Sequence, residues 1–419
     1  MKTKLIDERS SVLLLIPNLG FGGAQMVFHD LSCLLSGSYD VSEAVFNLDN
    51  GYAFPSGRPL YSLNVPAGKN FLDKLRQFFI RIKRLRTLKG KLQTRLCISH
   101  LEGADFVNIL SARGEKRILC IHGSRHDGLG VGVFGWARRR VLTTLLYNRA
   151  DRIVTVSRDI NQELENLGVN SEKIQTINNS FDLQKIRLMA ADGLTSDEQS
   201  IFDGMPVMVT SGRLASQKNQ KPLLEIFQLL TIRLPVKLVI IGDGELRDAL
   251  LAHAKKLGLN YYEPWSGMPL HSDYQLYFLG FQDNPHKFIA RSQVFLLTSA
   301  FEGFPMVLGE ALTCHLPIVS VDCPTGPREM LAPESGARPE PPIRTVECGP
   351  YGMLAPPLNN SATLSESVSV WVDAMEALLK DKMRQQVMGE ASSRRAEDFS
   401  REKVAGQWLE LVEQVFSTP

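Results

Sequence analysis

The chain has 419 residues, a formal net charge of +2 and 44% hydrophobic content. That length exceeds one typical domain and suggests two or three. The near-neutral charge argues against wholesale nucleic-acid binding, and no apolar run reaches the roughly 18 residues of a membrane span. The six cysteines, Cys33, Cys97, Cys120, Cys314, Cys323 and Cys348, form no C-x-x-C pair; they read as buried free thiols of a reducing cytosol.

Residues 12–16, Val-Leu-Leu-Leu-Ile, predict a first strand. The run is too short for a span and ends in Pro17-Asn18 without a small-residue cleavage site, so it does not read as a signal peptide. Gly20-Phe21-Gly22-Gly23 predicts a loop, 24–35 a one-faced helix, and 42–48 a strand. Residues 95–100 and 117–122 predict strands that each end in a histidine. Residues 151–157 follow as a strand and 158–167 as its helix. A polar stretch at 182–203 reads as an interdomain linker. The pattern then restarts. Strands are predicted at 206–211, 236–241, 278–280, 293–297 and 317–321, with helices after the first two. Helices close the chain over about 363–416.

Strands alternating with helices imply parallel βαβ units. The expected fold class is therefore α/β, with two Rossmann-like domains facing across a cleft and ligands at the carboxyl ends of the strands. The expected boundaries are 1–185 for an N-terminal Rossmann-like domain and 186–385 for a C-terminal one. Residues 386–419 are expected to be helices packing back toward the N-terminal domain. Two loops read as insertions, 263–273 with Pro264, Trp265 and Pro269, and the proline-rich 333–350.

The most informative stretch is Phe301-Glu302-Gly303-Phe304-Pro305-Met306-Val307-Leu308-Gly309-Glu310. It follows an apolar strand, crosses a Gly/Pro turn and enters a helix. Two carboxylates can face one pocket there, and the helix N-terminus between them offers backbone N–H groups to an anion. Such a site suits sugar hydroxyls beside a diphosphate, as in a nucleotide sugar. Arg213 and Lys218 lie five positions apart on the loop after strand 206–211. A planar fork and a mobile point charge can clamp a pyrophosphate and neutralise a departing nucleoside diphosphate. Gly242-Asp243-Gly244 ends the next strand and either shapes a base pocket or lets Asp243 cap a helix. Gly22 and Gly23 sit where backbone can approach an anion, or simply make a tight turn. The spacing is not G-x-G-x-x-G. His122 ends a strand and could donate to a sugar hydroxyl. No His, Cys, Asp or Glu set has metal-ligand spacing, so neither a metal nor another cofactor is expected.

From Lys74 to Arg95 there are nine Lys or Arg and no acid, with Phe71, Leu72, Leu75, Phe78, Phe79, Ile82 and Leu85 at helical spacing. This basic amphipathic helix, and the patch Arg138-Arg139-Arg140 beside Trp136, suit an anionic membrane surface. No nucleic-acid partner is expected.

These residues resemble the family 4 glycosyltransferases, the retaining, nucleotide-sugar-dependent class with the two-Rossmann GT-B fold. Four segments carry the likeness: 20–25, 211–219, 239–244 and the block from Glu302 to Glu310. The run Asp322-Cys323-Pro324-Thr325-Gly326-Pro327-Arg328-Glu329 resembles bacterial enzymes that build surface or lipid-linked oligosaccharides. The resemblance implies that Arg213 and Lys218 hold the diphosphate, Glu302 binds hydroxyls of the donor sugar and Glu310 the ribose. Backbone at Phe304, Pro305, Met306 and Val307 would touch phosphate or sugar. Gly22, Gly23 and Gly242 would lie along the donor, and His122 near the sugar. Catalysis would fall to His122, Glu302, Arg213 and Lys218, without metal, by front-face transfer from a UDP-linked sugar to a lipid-linked or saccharide acceptor. The enzyme would sit on the cytoplasmic face of the membrane. In the family, a Tyr-Gly-Leu/Met-Leu turn follows the 327–329 block closely. Here Tyr351-Gly352-Met353-Leu354 comes only after the proline-rich insert. A nucleotide-sugar-binding subunit without turnover and a sugar-nucleotide epimerase of the same fold remain as alternatives.

Overall fold

The computed structural model describes residues 10–20, 22–48, 56–123 and 133–418, with the backbone alone for 133–139. The chain divides into two compact units, Met1–Asn179 with Val404–Pro419, and Ser180–Lys403.

In the first unit the described strands are β1 (Ser11–Ile16), β2 (Asp40–Val45), β3 (Leu60–Ser62), β4 (Leu96–His100), β5 (Lys116–Ile121), β6 (Arg152–Thr155) and β7 (Ile174–Thr176). They lie in the order β3-β2-β1-β4-β5-β6-β7, and every neighbouring pair is parallel. Parallel strands require crossovers, which place helices on the sheet faces. The alternation along β1 shows the result. Val12, Leu14 and Ile16 pack with Phe28 and Leu31 of the helix Gly23–Leu35. Leu13 and Leu15 pack on the other face with Leu85 and Val107. The first of these clusters also takes in Val404, Trp408, Leu411, Val412 and Val415 from the helix Arg401–Ser417.

The second unit holds β8 (Val207–Ser211), β9 (Lys237–Ile241), β10 (Tyr261–Tyr262), β11 (Leu276–Gly280), β12 (Val294–Leu297), β13 (Ile318–Val321), β14 (Glu347–Gly349) and β15 (Gly352–Ala355). The order is β10-β11-β9-β8-β12-β13-β15-β14, with only β14 antiparallel. In both units the strands that follow the first are laid down on one side of it and then on the other. The order reverses between β1 and β4, and between β8 and β12, which is where open α/β sheets bind ligands.

Four features differ from the sequence expectations. The stretch read as a linker belongs to the second unit. Its helix Leu183–Ala190 is held by Asn284 at Met189 O and by Arg291 at Ala190 O, and its helix Ser196–Ser200 by Lys287 at Glu198, 2.8 Å away. Its polar residues serve local structure: Thr195 and Glu198 form a capping box. The change of unit falls earlier, at Asn179/Ser180, rather than at 185/186. The closing helices do not act together, since Lys382–Ala396 stays in the second unit while the boundary at Lys403/Val404 falls inside Arg401–Ser417. Finally, Gly352-Met353-Leu354 is no turn but the buried strand β15, paired with β13.

Lys237, wholly buried at the start of β9, ties the former linker to the sheet. Its ammonium donates to Ser200 O, Ile201 O and Asp203 O at 3.3, 2.9 and 3.1 Å. Burial pulls its pKa below the usual lysine value. Lys237→Met keeps the stem and strands three carbonyls, so we expect a loss of about 2–4 kcal/mol. Thermal unfolding followed by circular dichroism should read this as a fall of roughly 5–10 °C in Tm.

Candidate functional site

β8 and β12 are parallel neighbours, so the loops that leave them open on the same edge. The β8 loop carries the turn Ser216–Lys218. The β12 loop leads through Glu302 to the helix Met306–Thr313. Three bonds lace the loops together: Ala300 N to Gln217 O at 2.7 Å, Gln217 Nε2 to Phe301 O at 3.1 Å, and Thr298 Oγ1 to Lys218 O at 3.1 Å. Across this seam Lys218 Nζ meets Glu302 Oε1 at 2.6 Å, and Ser299 Oγ donates to the same oxygen at 2.6 Å. Glu302 is buried. Its main chain is held on both sides, N–H to Pro324 O at 3.2 Å and C=O from Thr325 Oγ1. The adjoining Cys323 thiol is pushed well up by burial and then by the Glu302 charge, which leaves it an inert packing group.

The loop 322–329 presses on this site. Gly326, at φ 88°, lies so close that a Cβ would sit 2.6 Å from Pro305 Cδ. Arg328 anchors the loop by a two-pronged pair with Asp322 (3.0 and 2.9 Å) and reaches Glu347 on β14 (3.0 and 2.8 Å). The proline-rich insert is thereby fastened to the site loop. The insert at 263–273 is packed too, with Trp265 under the Arg247 guanidinium at 4.9 Å and against Gly280.

The other expected donor residues fall as follows. Glu310 sits in the second turn of Met306–Thr313, with His286 Nε2 3.6 Å from its carboxylate. That is too long for a hydrogen bond, and both ring nitrogens of buried His286 lack partners. Arg213 does not join Lys218 and Glu302; it stands in solvent, paired with Glu245 at 3.0 Å. Gly242, at φ 133°, packs loop on loop: it donates to Gly280 O at 2.8 Å, and a Cβ there would lie 2.1 Å from Gly212 O. The Phe304 ring is buried against Phe399, so only its backbone is offered outward. Pro305 is the N-cap, and Met306 and Val307 open the helix half-buried. Sequence reasoning missed Ser299, Thr325 and His286. Only their places near the carboxylates could have flagged them.

In the first unit Gly22 and Gly23 are exposed at the start of the helix Gly23–Leu35. Asn18 Oδ1 steadies their loop by accepting from Gly20 N–H and Gln25 Nε2. His122, half-buried after β5, hydrogen-bonds His100 at 2.9 Å. The basic helix Phe71–Lys91 exists, but its charge is partly spent inside the unit. Arg81 donates to Val65 O and Pro66 O, Arg84 to Leu63 O and Asn64 O, and Arg86 to Ala112 O. Lys89 is buried against Glu115 at 2.7 Å. Its first turns leave Phe71, Leu72, Leu75 and Phe79 exposed beside Lys74, Arg76 and Lys83. The side chains of Arg138 and Arg139 lie outside the described residues, and Arg140 is exposed. Among the described residues no cluster of three or more His, Cys, Asp or Glu could hold a metal, and no helix is long and apolar enough to cross a membrane.

Residues 21–185 match the family model described as Glycosyltransferase Family 4, and residues 205–381 the model described as Glycosyl transferases group 1. The chain is built from two glycosyltransferase-family domains. Over 278 residues it is 31% identical to an uncharacterized glycosyltransferase of Methanocaldococcus jannaschii, spanning 64% of each chain. It is 25% identical over 402 residues to a Campylobacter jejuni enzyme, covering 95% of this chain and 98% of that one. That enzyme is N-acetylgalactosamine-N,N'-diacetylbacillosaminyl-diphospho-undecaprenol 4-alpha-N-acetylgalactosaminyltransferase. The fold matches the crystal structure of Anabaena Alr3699/HepE in complex with UDP, with a TM-score of 0.73 at 17% identity, over 96% of this chain and 100% of that one. The two parallel α/β domains are thus those of GT-B glycosyltransferases, and the laced β8 and β12 loops lie within the Glycosyl transferases group 1 region.

Burial pulls the His122 pKa down to about 4, and burial with the neighbouring ring holds His100 well below the ordinary histidine value. Both rings stay neutral in the folded protein, whereas the unfolded chain takes up these protons near pH 6.5. Their contribution is therefore fully present above about pH 6.5 and is lost as pH falls toward about 4, because the unfolded state binds more protons in that window. A His122→Asn variant should lose less stability than the parent between about pH 7 and about pH 5, read from urea midpoints at the two pH values.

Proposed function

We propose that the protein is a retaining glycosyltransferase. It would move a sugar from a nucleoside-diphosphate sugar, UDP-linked, to a lipid-linked or polysaccharide acceptor. The observation that carries the reading is the buried Lys218–Glu302–Ser299 cluster at the point where the second sheet's strand order reverses. A carboxylate held by a lysine and a hydroxyl on one oxygen keeps its second oxygen for a sugar hydroxyl. The lysine is already placed to exchange its carboxylate contact for phosphate. As the glycosidic bond to the diphosphate breaks, negative charge grows on the leaving oxygens. Lys218, joined by Arg213 swinging from Glu245, neutralises it. Glu310 takes the ribose, and His122 donates to a substrate hydroxyl. The leaving phosphate accepts the acceptor's proton, so no carboxylate nucleophile is needed. Positive charge on the protein fills the role a divalent ion plays elsewhere, and turnover should persist in chelator.

Likeness along nearly the whole length to a Campylobacter enzyme named for transfer to a diphospho-undecaprenol acceptor supports the acceptor class. The UDP in the Anabaena structure supports the donor class. Nothing in the site favours a non-catalytic subunit or an epimerase, and an epimerase would convert the donor with no acceptor present.

Nucleoside diphosphate release, measured over a panel of donors with membrane extract as acceptor, tests the reading. Lys218→Ala and Glu302→Ala should lower kcat on the order of 100-fold to 1,000-fold. Unaltered turnover in both folded variants would sink the assignment.

We also infer that the first unit docks peripherally on the anionic inner face of the cytoplasmic membrane. Phe71, Leu72, Leu75 and Phe79 would enter the interface while Lys74, Arg76 and Lys83 meet headgroups. In co-sedimentation with anionic vesicles, Phe79→Ser with Leu72→Ser should release the protein at all salt concentrations. Lys74→Glu with Arg76→Glu should release it mainly at low salt, where charges are unscreened. Binding that ignores both pairs of substitutions would refute this surface.

A further inference from the structure

His100 is the last residue of β4, and the register sets it opposite Cys120 of β5. Side chains alternate along a strand, so two residues on, His122 returns to the same face. The rings meet there, Nδ1 of His100 and Nε2 of His122 at 2.9 Å. Their centroids are 5.1 Å apart with 23° between planes. Nitrogens that close between centroids that far apart mean the rings meet edge to edge, in line, as an N–H···N bond requires. The next residue, Leu101, holds φ 76° and ψ 144°, a region nearly reserved for glycine that costs about 1–3 kcal/mol. Its N–H points to Cys120 O at 3.4 Å. The turn is thus held against β5 with the two imidazoles in register.

A neutral imidazole has one donor and one acceptor nitrogen. His100 is fully buried, with the Phe28 ring nearly perpendicular to it at 5.3 Å between centroids, and its Nε2 has no hydrogen-bond partner. If His122 donated, His100 would carry its proton on Nε2 and bury an unpaired N–H. If His100 donates, only an acceptor goes unpaired. Orphaned buried N–H groups are the rarer of the two. The second arrangement therefore prevails, and it puts the His122 proton on Nδ1. That nitrogen makes no hydrogen bond to a described residue.

We propose that His100 is a positioning residue: it fixes the tautomer of His122, so that His122 presents an Nδ1–H donor to a hydroxyl or alkoxide oxygen of the bound sugar or acceptor. The identity of that oxygen rests on the glycosyltransferase reading; the tautomer does not.

Long-range proton–nitrogen NMR of the full chain, with nitrogen-15 in its histidines, reads the tautomer directly near pH 7. The expected spectrum has His122 protonated on Nδ1 and bare on Nε2; a proton on Nε2 overturns the proposal whether or not the protein turns out to transfer sugar. In His100→Leu the His122 signals should move toward a tautomer mixture, and kcat should fall at least about tenfold with donor KM nearly unchanged. His100→Asn keeps a polar group at the δ position and should recover most of that loss. Equal loss in both variants, or an unmoved His122 spectrum in folded His100→Leu, rejects the positioning role. If His100→Leu does not fold, the parent spectrum and the His100→Asn activity decide. If no donor and acceptor pair supports turnover, the functional reading fails while the spectrum still settles the tautomer.

Discussion

Parallel pairing is the constraint on which everything else in each unit rests. A parallel ladder cannot be closed by a hairpin, so each strand hands its chain to a crossover that returns to the opposite edge. Every strand-to-helix loop in a unit therefore gathers at one edge, however far apart the segments lie in sequence. Lys218 and Glu302 meet for this reason, because β8 and β12 are neighbours and their departing loops run side by side. His100 and His122 meet across β4 and β5 by the same rule.

Such an arrangement places charge where water is scarce, and the chain compensates locally. The Lys218–Glu302 pair is largely buried, and burying two ions costs more than their attraction returns unless other bonds share the load. Ser299, with the main-chain bonds at Pro324 and Thr325, supplies that share. The pair is thus held but not strongly favoured, which suits a contact that a phosphate can replace. The Asp322–Arg328–Glu347 array does the opposite. Its guanidinium is saturated on both sides, and the two carboxylates outweigh burial to raise the Arg328 pKa, so it behaves as a fixed anchor.

Much of this was legible in the sequence. Fully buried strands such as 12–16 and 236–241 announce themselves as continuous apolar runs, and the Glu302-to-Glu310 spacing pointed to the β12 loop. What was not legible has a common cause. β3, β7, β10 and β14 are two or three residues long and carry no period to detect. The 182–203 stretch read as linker because its polarity is local capping and because the group that organises it, Lys237, is a charged residue that composition would place outside. Arg81, Arg84 and Lys89 read as part of a basic face suited to an anionic membrane surface, yet they turn inward to carbonyls and to Glu115. One-dimensional charge does not say which long side chain bends back. His100 looked like a strand-end residue until the register set it beside His122.

The helix Arg401–Ser417 gives one further consequence. Its residues from Val404 onward complete the core beneath β1, so the first unit is continuous in space but not in the chain. A ribosome finishes residues 10–179 long before it makes Trp408 and Val412. The second unit, wholly contained in 180–403, can condense as soon as it emerges. The usual N-to-C order of domain maturation is then inverted here. The part made before the second unit must wait, with a vacancy in its core, for a helix made after it.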